Sequence, residues 1–280
     1  MLMSLLRIDR GKHGTRRVTG LGALAVVLTV AVSLVAQGAA VAGDTRGVGK
    51  WGGAIDADAL QILKRMTDYL ENTQQFTMHT ENTFEDVLAT GQKIQFGFSS
   101  DIVVQRPNKI RAERTDGFAG KLFVFDGAKL SVYDPQLDVV SIVDVPGDID
   151  NLLHFARDAL DLVPPAGDMV FSNAFELLTA GMTSGFVVGK SVIGGVSCDH
   201  IAFTTDVVDW QVWVADGDRP LPYKYVLTTR DDPAQPQFVT MISDWSTDPM
   251  IEDGTFAFSP PAATLEIDFI RVDAGNAAAR

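Results

Sequence analysis

Apolar positions along the chain change period in a way that divides it into helices and strands. From Asp56 onward, Leu60, Leu63, Met66 and Leu70 recur at helical spacing and form one apolar stripe, with Asp56 or Asp58 placed to cap the helix. After Gln75 the period becomes two. In KIQFGFSSDIVVQRP, Ile94, Phe96, Phe98 and Ile102 share one face, while Gln95, Ser99, Asp101 and Gln105 take the other. Further strand signals follow in KIRAER, KLFVFDGAKLSVYD and LDVVSIVDV. Asp126-Gly127 marks a hairpin, because both residues tolerate positive φ. The alternation then pauses. GDIDNLLHFARDALDLVPP predicts a helix capped by Asp148 and stopped by Pro164 and Pro165, with Ile149, Leu152, Leu153, Ala156 and Leu160 on its stripe. DMVFSNAFELLTAG predicts a short helix closed by Gly181. Strands resume at GFVVGKSVIGG and run through QFVTMISDWS to TFAFSPP. The pattern is that of an α+β antiparallel meander, with no alternating helices to build parallel crossovers.

The N-terminal segment changes the picture of where this fold resides. Arg7, Arg10, Lys12, Arg16 and Arg17 precede an uncharged apolar run from Val18 to Val35, and Ala40 and Ala42 then supply the small-x-small spacing of a signal-peptidase site. Residues 1–42 are expected to be a signal peptide cut after Ala42, with an uncleaved membrane anchor as the alternative. Residues 43–55 read as a flexible leader, 56–270 as one domain and 271–280 as a disordered tail. The G-x-G-x-x-G at Gly47, Gly49 and Gly52 follows the signal segment and not a strand, so it lacks the context of a dinucleotide fingerprint. Loss of five basic residues and one acidic residue with the signal would take the net charge from −13 to −17. Such a charge disfavours nucleic acid as a partner. With one cysteine there is no internal disulfide, and stability has to come from an apolar core.

Candidate chemistry centres on CDHIAF. Period two sends Cys198, His200 and Ala202 to one face and Asp199, Ile201 and Phe203 to the other, so Asp199 does not orient His200 within the strand. Cys198 and His200 at i, i+2 are a two-ligand metal spacing, and a zinc site would need further ligands from His79, His154 or distant carboxylates. A hydrolase using Cys198, His200 and a distant acid is a second reading. The ordinary alternative is a buried thiol beside a polar strand residue. His154, Asp158 and Asp161 read as a solvated helix face with a divalent ion as the alternative. No cofactor motif is present, and no cofactor is expected.

The next strands carry more information. Val208, Trp210, Val212 and Val214 share a face, Trp213 lies opposite, and Tyr223, Tyr225 and Leu227 continue beyond the turn ADGDRPLP. Large apolar residues on adjacent strands make a wide greasy surface. Where helices do not cover all of it, a strongly curved sheet leaves a hollow. Phe96, Phe98, Phe123, Phe125, Trp210, Val212, Tyr223 and Tyr225 are the residues expected to line it.

QQFTMHTENTF, GFSSDIVVQRPNKIRAE and VFDGAKLSVYDPQLDVVSIV resemble the first half of the LolA-like lipoprotein carriers, with R-P-N between two strands and a D-G-x-x-L-x-x-Y-D-P hairpin. CDHIAF, DWQVWVADGDRPLPYKYVLT and FSPP resemble the second half of a group of predicted periplasmic proteins of that superfamily. The resemblance covers most of the 238 residues that follow the signal. It implies an incomplete antiparallel barrel, or half-barrel, covered by an N-terminal helix and an inserted helical segment. It also implies that Arg106, at the arginine of R-P-N, ties the helical cover shut. The chain has more strands than a minimal carrier. Together the readings point to a periplasmic, non-enzymatic binder or carrier of an apolar ligand such as a lipid, an acyl chain or an acylated protein. The alternative is a protein-interaction or envelope-stress sensing module with the same fold.

Overall fold

The structure, a computed structural model, describes residues 53–115, 120–160, 164 and 166–269. The expected signal and its Ala42 cut, the glycines at 47, 49 and 52, Asp161 and the C-terminal tail lie outside the described residues. Helix α1 (Ala57–Asn72) leads into β1 (Gln75–Val87), β2 (Lys93–Gln105), β3 (Lys109–Thr115), β4 (Gly120–Phe125), β5 (Lys129–Asp134) and β6 (Val139–Asp144). Helix α2 (Ile149–Leu160), a 3-10 turn (Gly167–Met169) and α3 (Ala174–Thr179) interrupt the strands. They resume as β7 (Met182–Ile193), β8 (Val196–Thr205), β9 (Val208–Ala215), β10 (Pro222–Thr229), β11 (Gln237–Ser246) and the short β12 (Leu265–Glu266).

All twelve strands form one sheet in the order β12-β6-β5-β4-β3-β2-β1-β11-β10-β9-β8-β7. Two meanders are thus joined where β1 pairs with β11, Asn82 opposite Thr240 and Phe84 opposite Phe238. The edges β12 and β7 do not meet, so the sheet is an open, curved half-barrel. Irregularities at Thr77/His79, Val187/Gly189 and Pro222/Lys224 interrupt the ladders, and such bulges increase local twist and bend the sheet.

The sheet is antiparallel as expected, apart from the two-residue edge strand β12, which runs parallel to β6. One expectation needs correction. Thr255–Pro261 is not a strand: Asp253-Gly254 opens a turn in which Thr255 and Ala257 donate back to Glu252 and Gly254, and Pro260 and Pro261 have no amide hydrogen to give a ladder. This segment instead crosses the outer face, with Lys109 over the Phe256 ring and Phe258 against Tyr133.

The helices dock by the stripes their spacing predicts. Asp56 caps α1 by accepting the Asp58 amide at 3.0 Å, and Ile62, Leu63, Met66 and Leu70 are buried against β7, β8 and β9. Asp148 accepts the Asn151 amide at 2.9 Å at the start of α2, which buries Ile149, Leu152, Leu153, Ala156 and Leu160. Under α1 the core is dense. Trp210 and Phe203 stack with centroids 4.4 Å apart, and Tyr225 meets Trp210 edge-on at 6.0 Å. A residual gap beside Leu70, Phe76 and Trp245 measures only about 10 Å³.

Gly185 on β7 is required by close approach. A Cβ there would run into the Phe203 ring, which is held between Gly185 and Trp210. Gly185→Ala is therefore expected to cost about 1–3 kcal/mol through displacement of that stack. The urea midpoint should fall with an unchanged slope.

Candidate functional site

The inner face of the first meander is not filled. A cavity of about 190 Å³ lies between β1–β5 and the cover formed by α2 and the segment after it. Its sheet wall is Met78, Phe98, Ser100, Ile102, Val104, Ile110, Ala112, Arg114, Phe123 and Leu130. Its roof is Leu152, Leu153 and Ala156 from α2, with Pro164, Gly167 and Val170 beyond. The period-two alternation of β2 and β3 explains why these residues meet: each strand turns one set inward, and the sheet curves around them. Ala112 and Ala156 face each other's territory with small side chains, where a larger residue would have closed the space. Arg114 is the charged residue in this lining, with its guanidinium 3.9 Å over the Phe98 ring.

Of the residues expected at the hollow, Phe98 and Phe123 line the cavity. Phe125 is buried beside it with Leu130 and Leu152. Phe96 lies on the same face but is 48% exposed, towards the β1–β2 hairpin tip. There Phe84 stacks on it at 5.6 Å and reaches Phe98 at 6.4 Å. Trp210, Val212 and Tyr225 are packed solid under α1, with half-buried Tyr223 against that core. Sequence reasoning missed the rest of the lining, including Ser100, Ala112, Arg114, Leu152, Leu153 and Ala156. The available signal was the alternation Ile110, Ala112, Arg114 in KIRAER, on the face that Phe123 and Phe125 extend.

Arg106 sits at the turn from β2 to β3, where three segments of the cover converge. Its amide donates to Gln74 O at 2.8 Å and its Nη2 reaches Leu70 O, at the end of α1, at 3.4 Å. Burial lowers its pKa, opposed by the carboxylates of Asp150 on α2 and Glu71 on α1. Burial raises the Glu71 pKa in turn. Asp150 also accepts the Ser172 amide at 3.0 Å and the Ser172 hydroxyl, tying α2 to the segment before α3. Ile149 N donates to Pro107 O at 2.9 Å, so the start of α2 is fastened to the same turn.

The cysteine region is a satellite core on the outer face. Cys198 is fully buried with Trp213 and Val226. His200 stacks on Trp213 at 3.9 Å and donates from Nε2 to Gln211 Oε1 at 2.9 Å. Burial lowers the His200 pKa, and the Lys224 charge adds to this. Asp199, on the inner side, pairs with Lys190 at 2.8 Å. His79 is held by Asp101 at 2.7 Å, and Arg157 donates to both His154 and Asp158 at 2.8 Å. Among the described residues no group of three or more His, Cys, Asp or Glu is gathered to hold a metal ion.

Residues 59–270 match the family of predicted periplasmic proteins designated DUF2092, and the chain belongs to that family. No curated protein matches it in sequence. Among solved structures, the lipoprotein LppX of Mycobacterium tuberculosis is 18% identical over 71% of this chain and 100% of that chain, with a TM-score of 0.46. LprF of Mycobacterium bovis is 12% identical over 72% of this chain and 99% of that chain, with a TM-score of 0.44. A LolA superfamily protein of Nitrosomonas europaea is 12% identical over 71% of this chain and 97% of that chain, with a TM-score of 0.36. No helix among the described residues is long and apolar enough to cross a membrane.

Burial, reinforced by Asp216, pushes the Cys198 thiol up from 9.0 to about 11. The thiolate is the reactive form, so the folded protein should resist a thiol reagent at pH 8 and react promptly once unfolded in denaturant. Because the raised pKa belongs to the folded state, the stability linked to this thiol is fully present below 9.0 and lost as the pH rises through about 11. Equal labelling of folded and unfolded protein would overturn the assignment.

Proposed function

We propose that the protein is exported to the periplasm and binds one apolar chain, of a lipid or an acyl group, in the cavity under α2, without covalent chemistry. The observation that carries this reading is a partly open, almost wholly apolar hollow of about 190 Å³ beside an otherwise dense core. Protein interiors hold few voids larger than a water molecule. Water in this hollow faces mostly apolar wall, and an apolar ligand that displaced it would gain about 25 cal/mol for each Å² of apolar surface covered. The stacked Phe84 and Phe96 rings extend the apolar face outward from Phe98 as a path of entry.

The volume also limits the cargo. Small-molecule pockets usually measure about 300–1,000 Å³, so this one, as it stands, admits a single chain segment and not a bundle of tails. A longer chain requires the cover to move, and Arg106 is the residue placed to resist that movement. It joins the end of α1 to the turn on which α2 starts, and Asp150 of α2 attracts its charge.

Two measurements follow. Delipidated wild-type protein should bind a fluorescent acyl probe, and Ala112→Phe, which fills the cavity, should weaken binding by about tenfold or more. Failure of the wild type to bind any acyl probe, with an envelope protein captured instead, would overturn the reading in favour of a protein-interaction module. Arg106→Leu should speed hydrogen exchange of the α2 amides relative to those of α1's buried face. Unchanged exchange would remove Arg106 as the tie.

A further inference from the structure

The inner face of β2 does not end where the cavity does. Val104, Ile102 and Ser100 line the cavity, and Phe98 and Phe96 continue the same face towards the β1–β2 hairpin tip. Among the described residues β3 accompanies β2 only as far as Ser99, opposite Thr115, whereas β1 accompanies it to Lys93. Beyond that point the inner face passes to β2, β1 and β11, where Phe96, Phe84 and Phe238 stand side by side in one row. Phe98 joins this row to the cavity. It is part of the cavity lining, and its ring centroid is 6.4 Å from that of Phe84, which stacks on Phe96 at 5.6 Å. Arg114 lies over the Phe98 ring from the β3 side, so the apolar course beyond Phe98 runs past Phe84 on β1. Phe96 is exposed, although the face it belongs to is buried along the rest of its length.

Resting on the cavity reading above, we infer that this aromatic shelf is a second subsite for the same ligand. The ligand is then a single acyl chain longer than the cavity, with its methyl end under α2 and its remaining length across Phe98, Phe84 and Phe96. Strand geometry gives the shelf a useful length. Val104 to Ser100 spans about 14 Å at the usual rise per residue, and Ser100 to Phe96 spans about 14 Å more, so the shelf doubles the apolar track. Enclosing a longer chain whole requires the cover to move, whereas a chain that leaves over the shelf does not disturb it. Aromatic rings suit an open subsite, because they offer a large apolar area with little side-chain freedom to lose. The shelf ends at Asp86, opposite Ile94 in the next row, so a carboxylate emerging there would meet like charge. Recognition therefore falls on the length of the chain and not on an acidic head.

The test compares uncharged monoacylglycerols of octanoyl and myristoyl length, each kept below its aggregation concentration and displacing the fluorescent acyl probe from full delipidated protein. Full burial of a methylene strengthens binding about fourfold, and coverage on one side about twofold. The myristoyl ester should therefore bind the wild type about tenfold or more tightly than the octanoyl ester. Phe96→Ser should lower the myristoyl affinity about five- to tenfold and the octanoyl affinity less than about twofold, while Phe96→Leu keeps most of the difference. Removal of an exposed ring leaves the core under α1 intact, so Phe96→Ser should fold. Equal affinity of the two esters for the wild type, equal losses for both in Phe96→Ser, or a myristoyl advantage that survives Phe96→Ser overturns the shelf and leaves the cavity reading intact. A surviving advantage that grows in Arg106→Leu also overturns it, by assigning the extra length to movement of the cover. Binding of neither ester to the wild type overturns both readings.

Discussion

A curved sheet of twelve strands presents more inner surface than its helices can cover, and the rest of the molecule follows from that mismatch. At about 4.8 Å between strands the sheet measures about 50 Å across. A helix is about 10 Å wide and so spans about two strands. Among the described residues only α1, with 16 residues, and α2, with 12, are long enough to serve as covers; α3, with six, packs against α1. The β1–β11 pairing makes the mismatch unavoidable, because it fuses two meanders that might each have closed over their own helix into a single face.

The two halves meet the same problem with different side chains. On the β8–β11 side, Ile62, Met66 and Leu70 of α1 meet Trp210, Phe203 and Tyr225, and large residues from both layers interdigitate. On the β2–β4 side, α2 presents Ala156 and β3 presents Ala112 across the gap, and the large residues around them, among them Phe98, Phe123, Ile102 and Leu152, do not fill it. Packing energy is thus concentrated under α1. The cover over the cavity is held by the buried stripe of α2, Ile149, Leu152, Leu153, Ala156 and Leu160, and by the contacts of Asp150 with Ser172.

This division explains what was legible beforehand. The helical stripes, the Asp148 cap, the hairpin at Gly127 and the face assignment of Cys198 to Val214 all follow from local periodicity, and the structure has them. Which half would be hollow does not follow from periodicity. Trp210 and Phe98 lie on equally apolar alternating strands, and the difference between them is which helix docks above, a long-range fact. The parallel β12 and the irregular Thr255–Pro261 segment were hidden for a related reason: Phe256 and Phe258 look like strand residues, but they answer to Lys109 and Tyr133 on the outer face.

The placement of arginines in so acidic a chain carries the last step. Moving a charge from water into a partly buried site is costly unless something compensates. Arg106 is compensated by Asp150, Glu71 and the carbonyl end of α1, all parts of the cover. Arg114 stands near the other end of β3, about 17 Å from Lys109 at the usual rise per residue, against an aromatic ring at the cavity wall. Arg106 and Arg114 therefore flank Ile110 and Ala112, and the wall that β3 lends to the cavity is apolar between them.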